Sequence, residues 1–165
     1  MPQNADHPVS EFTEITDYNR GAFARHFSAA WGWGTMSGTG VMLLIFLVFA
    51  GTRDGAIGLL AAVVTGWIFI GLFAGAVTLA GLIVIGLPVT FLLKLLRLEN
   101  QPLYALLGTM AGAASLAAWV GFDALDDATA LYFITPGACA AFAAAWRWGR
   151  WREAVQARDL AEFQR

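Results

Sequence analysis

From Gly55 to Leu93 the chain runs for 39 residues with no charged side chain, no His, no Asn and no Gln, and its only hydroxyls are Thr65, Thr78 and Thr90. About 18 uncharged apolar residues already mark a candidate membrane helix. A soluble domain of 165 residues has no interior that could hide a segment of this length. The pattern therefore predicts an integral membrane protein. Further apolar stretches cover residues 30–50, 103–122 and 128–146. Polar breaks separate them: Gly-Thr-Arg-Asp-Gly at 51–55, Asn100-Gln101-Pro102, and an acidic loop with Asp123, Asp126 and Asp127.

The long run can be read in three ways. One helix would be about 58 Å long, twice the hydrocarbon thickness. Two shorter spans would need a turn near Gly71–Gly75. A third arrangement places 56–66 near the outer surface and leaves one tilted span over 67–93. The distribution of basic residues arbitrates. Arg147, Arg150 and Arg152 place the C-terminus in the cytoplasm, and the acidic loop without Lys or Arg belongs outside. A single crossing puts nine of the ten basic residues inside, whereas a double crossing puts eight there. The expected fold is an all-α polytopic bundle of four spans, with five as the alternative and both ends cytoplasmic.

Before the first span, Phe12, Ile15, Ala22, Phe23 and Phe27 group on one helical side, opposite Glu14, Asp17 and Arg20. This predicts an amphipathic helix over 11–27, at the interface or packed on the end of the bundle. The expected division is 1–28 as polar tail and amphipathic helix, 29–147 as membrane bundle, and 148–165 as a cytoplasmic juxtamembrane helix. Residues 1–9 read as disordered. The polar N-terminus lacks the basic and apolar regions of a cleaved signal peptide.

Composition narrows the chemistry. Charged residues make up 13% of the chain, against about 25% in soluble domains. A net charge of −2 gives no basic face for nucleic acid. The lone Cys139 excludes an internal disulfide and reads as a packing residue. Both histidines, His7 and His26, precede the first span, so haem ligation or a metalloprotease site at membrane depth is not expected. Every Asp, Glu, Lys and Arg falls at a span edge or beyond, which speaks against proton-coupled transport. No enzyme activity and no cofactor are expected.

The stretch Gly86-Leu87-Pro88-Val89-Thr90-Phe91-Leu92-Leu93-Lys94, followed by Tyr104-Ala105-Leu106-Leu107-Gly108, resembles a pattern in small four-helix bacterial inner-membrane proteins of uncharacterised activity. The resemblance implies four spans in a bacterial inner membrane and no activity or functional residue.

Small residues four apart share a helix face and permit close helix approach. Gly34 with Gly38, Gly71 with Gly75, Gly108 with Gly112, and Gly137 with Ala141 are the candidate packing positions, within one bundle or between copies. Pro88 and Pro136 are candidate kinks. Trp31 and Trp33 at the first span, and Trp146, Trp148 and Trp151 alternating with Arg147, Arg150 and Arg152, are candidate interfacial anchors. Asp123, Asp126 and Asp127 could hold a hard cation if helical, but an acidic cap on the last span is the simpler reading. The expected partners are the lipid bilayer and either further copies or a larger membrane complex. The expected role is that of a small structural or accessory subunit, with a passive channel or solute facilitator as the alternative.

Overall fold

The computed structural model describes residues 9–50, 55–120 and 128–163, and among these only 96–100 are not helical. The elements are α1 (Val9–Ala50), α2 (Gly55–Gly81), a π-helical turn (Leu82–Gly86), α3 (Leu87–Leu95), α4 (Gln101–Val120) and α5 (Ala128–Phe163). Helix satisfies every backbone group within its own segment, which a chain this apolar requires. Three helices are long and apolar enough to cross a membrane: 20–48 in α1, 58–95 in α2–α3, and 101–119 in α4. Asp123, Asp126 and Asp127, with residues 1–8, lie outside the described residues.

The long apolar run forms one continuous helix from Gly55 to Leu95, with no turn at Gly71–Gly75. Gly71 and Gly75 instead face α1, against Thr39 and against Thr35 with Trp31. The irregularity comes later. In the π turn the Leu87 N–H bonds the Leu82 carbonyl, five residues back. Pro88 follows, and its ring would crowd the carbonyl four residues earlier in a regular α-helix. The wider turn relieves that contact. Pro136 is buried inside α5, which continues to Phe163.

α1 is likewise unbroken, so the predicted amphipathic segment is not a separate helix. Between Phe27 and Ala30 only Ser28 and Ala29 intervene, with no Pro or Gly to stop the helix, and the Ser28 hydroxyl bonds back to the Arg25 carbonyl at 3.1 Å. Phe23 and Phe27 pack edge-on against Trp148 of α5, at 5.4 and 6.0 Å between ring centroids.

Small residues set the helix order. Gly34 lies against Ala140 and Ala144, and Gly38 against Ala140 and the Pro136 carbonyl, so α1 and α5 are antiparallel. Gly108 meets Ala141 and Ala145, while Gly112 meets Gly137 and Ala141, which runs α4 antiparallel to α5 on a neighbouring face. α2 packs mainly on α1 and touches α5 little. α5 therefore packs against both α1 and α4.

The α3–α4 turn is tightly made. The Leu98 N–H reaches the Leu93 carbonyl at 3.0 Å and the Arg97 N–H reaches that of Lys94 at 3.1 Å, the paired bonds of a Schellman stop. Arg97 occupies the left-handed position usually given to glycine, with φ 55°. Arg97→Gly should stabilise the protein by about 0.5–1 kcal/mol, the relieved strain less the added flexibility of the unfolded chain. Thermal unfolding in detergent measures it, and a fall in melting temperature would contradict it.

Candidate functional site

The polar chemistry gathers where the α3–α4 turn meets the C-terminal half of α5. Asn100 starts α4 by accepting the Leu103 N–H on its side-chain oxygen at 2.9 Å. α5 supplies a second cap, as Glu153 Oε2 accepts the Gln101 N–H at 3.2 Å. A carboxylate at this positive helix end is favourable. Three residues on, Gln156 Nε2 donates to the Arg97 carbonyl at 3.3 Å. Gly149 allows the approach, because a methyl group there would stand 2.8 Å from the Tyr104 Cβ.

Glu99 is the centre of this contact and is buried at 7% exposure. Arg152 grips it from α5, with Nε and Nη2 donating to Oε1 at 2.8 and 2.7 Å and Nη2 to Oε2 at 3.0 Å. The Tyr104 hydroxyl adds a 3.3 Å bond to Oε1. The carboxylate is thus neutralised and hydrogen-bonded, as a buried charge must be. A carboxylate held this way locks the 96–100 turn to α5.

Below the lock, the Trp148 indole N–H donates to Thr90 Oγ1 at 2.9 Å, and that hydroxyl donates to the Gly86 carbonyl at 2.8 Å. Trp148 joins Ala30, Leu93 and Tyr104 in a buried cluster with Phe27 and Trp151 against it. Thr90→Val keeps the volume but leaves the buried indole N–H unpaired. It should cost about 1–3 kcal/mol, read as a lower melting temperature, whereas an unchanged melt would show that the bond carries little.

One turn further from the lock, an apolar cavity of about 420 Å³ lies between the π turn, α4 and α5, lined by Gly81, Gly86, Gly108, Gly112 and Ala144 among others. A second of about 310 Å³ continues it past Thr78 towards Phe69 and Met42. Both open sideways. Thr39, 1% exposed, has no hydrogen-bond partner at its hydroxyl among the described residues, and it lines neither cavity.

The predicted packing glycines Gly34, Gly38, Gly71, Gly75, Gly108, Gly112 and Gly137, together with Ala141, all meet other helices of the same chain. The predicted anchors divide. Trp33 and Trp146 are exposed, as is Arg150. Trp31 is partly exposed and donates to the Gly75 carbonyl at 2.8 Å. Trp148, 5% exposed, and Arg152, whose side chain is 13% exposed, pack within the chain. Both face inward, because three and four residues are nearly whole helical turns and carry the α5 stripe from Ala144 through Trp148 to Arg152. Trp151 is partly buried, stacked on His26 at 5.0 Å.

Sequence reasoning missed Glu99, Tyr104 and Thr90. A signal for Glu99 was present, since it is the only acidic residue between Asp54 and Asp123. Among the described residues no group of three His, Cys, Asp or Glu could hold a metal ion. Compared with protein-family models, curated proteins and solved structures, the chain matches none.

Proposed function

We propose that the chain is a small structural or accessory subunit of a membrane, crossing it four times with both ends cytoplasmic, in a bacterial inner membrane. The observation that carries this reading is the outer stripe of α2. Leu60, Val64, Ile68 and Leu72 are 65%, 52%, 54% and 70% exposed and form one continuous apolar face. Such a face needs lipid or another apolar helix against it. α5 lacks a charged side chain from 128 to 146, enough for a fourth span. The polar groups support no catalytic or conducting role. Glu99 is paired with Arg152, and the cavities are mostly apolar, with Thr78 and Ser115 their only hydroxyl-bearing lining residues and no polar stripe along a span among the described residues.

Extraction of the tagged chain from its native membrane in mild detergent, with mass determination and identification of what accompanies it, tests the reading. A stoichiometric partner is the expected result. A self-assembled ring without a partner, conducting ions in reconstituted vesicles, would replace it with a channel.

A further inference from the structure

Arg147 follows Ala144 by three residues, on the side of α5 that meets α1. Its Nε is shielded from solvent and has no hydrogen-bond partner among the described residues. Among the described residues its guanidinium has no carboxylate partner, because Glu99 is taken by Arg152. The His26 imidazole, next to Arg25 in the chain, stacks on Trp151 one turn beyond Arg147 on α5. Arg147 and the His26 imidazole thus lie along the α1–α5 seam, with exposed Arg25 adjacent to His26 in the chain.

A half-covered guanidinium with an idle donor is unfavourable until an anion supplies acceptors. Arg147 is also the first charged residue after the apolar stretch 128–146, which sets it at headgroup depth. Exposed Trp33 and Trp146, one on each helix, suit the same layer. The acceptor that matches a guanidinium fork at that depth is a phosphate. The uncompensated charge favours a headgroup with net negative charge, since an ammonium headgroup would be repelled by Arg25.

We propose that Arg147, with Arg25 and His26, binds the phosphate of an anionic phospholipid headgroup at the α1–α5 seam. This rests on the membrane reading above.

The test is native mass spectrometry of the full chain in detergent, titrated with dioleoylphosphatidylglycerol or dioleoylphosphatidylcholine. The wild type should retain phosphatidylglycerol in preference to phosphatidylcholine. Arg147→Gln should weaken retention roughly fivefold, while Arg150→Gln, at an exposed position, should not change it. Arg25→Gln, also at an exposed position, replaces Arg147→Gln if that variant does not fold, and is expected to weaken retention as well. Equal retention of the two lipids by the wild type would overturn the proposal, as would retention unaffected by the Arg147 and Arg25 changes. Displacement of the lipid by inorganic phosphate would assign the site to free phosphate and overturn the lipid source. A chain that stays in the aqueous fraction without detergent would refute the membrane reading itself.

Discussion

Replacing Arg152 with methionine, with Glu99 left in place, should lower stability in detergent by about 3–5 kcal/mol. The side chains of Arg152 and Glu99 are only 13% and 5% exposed. Among the described residues, removing the guanidinium takes away every charged contact of the carboxylate and leaves it only the Tyr104 hydroxyl at 3.3 Å. A buried carboxylate with one neutral donor must stay charged at high cost, take up a proton, or draw the 96–100 turn off α5. Each route weakens the end of the bundle. The double change Glu99→Met with Arg152→Met removes both charges and keeps side chains of similar reach. It should recover most of the loss, because two desolvated charges and their attraction nearly cancel. Tryptophan fluorescence on thermal unfolding reads this directly, since Trp148 and Trp151 flank the pair. Equal destabilisation in the single and double variants would show that α5 does not hold the turn through this pair.

The second large effect is expected at Gly112. A methyl group there would lie 2.5 Å from the Ala141 Cβ and 2.5 Å from the Gly137 carbonyl oxygen. The carbonyl belongs to the backbone and cannot swing aside, so Gly112→Leu must push α4 away from α5. Overpacking typically costs about 1–3 kcal/mol and sometimes more, and backbone contact puts this site at the upper end. The contact lies within one chain, so the melting temperature should fall whether or not the protein associates. Gly40→Leu is the control, because nothing stands within 4 Å of a methyl group there. Loss of association by Gly112→Leu with an unchanged melt would relocate the glycine face to a contact between copies.

The helical class was legible because apolar length alone dictates it. The unbroken run from Gly55 to Leu95 also follows from the absence of any polar residue able to make a turn near Gly71–Gly75. The small-residue positions were legible as packing faces, but not which helix each one meets. Spacing of four residues identifies a face and says nothing of its neighbour. The anchors were half legible. Trp146 and Trp148 differ by two residues, so they point to different sides of α5, and composition alone assigned both to the headgroups. Glu99 was hidden for a different reason. Beside Lys94, Arg97 and Asn100 it reads as part of a solvated turn, and its partner lies 53 residues away on α5. Its burial depends on the Schellman stop at Arg97, which no local pattern announces when arginine stands where glycine is usual.

The π turn sets which residues the end of the long helix offers inward. Leu93 comes five turns of 3.6 residues after Gly75, so in a uniform α-helix both would face α1. The wider turn shifts that register, and Leu93 closes a cluster that joins Ala30 of α1 to Tyr104 and Trp148. A deletion of one residue within 82–86 would alter the axial position of the helix end by little more than 1.5 Å. It would nonetheless rotate Thr90 and Leu93 away from α5. Descendants of this chain can therefore vary in length by one residue here only with a matching change in what Trp148 packs against, and an alignment that places a gap in this turn reports a repacked interior.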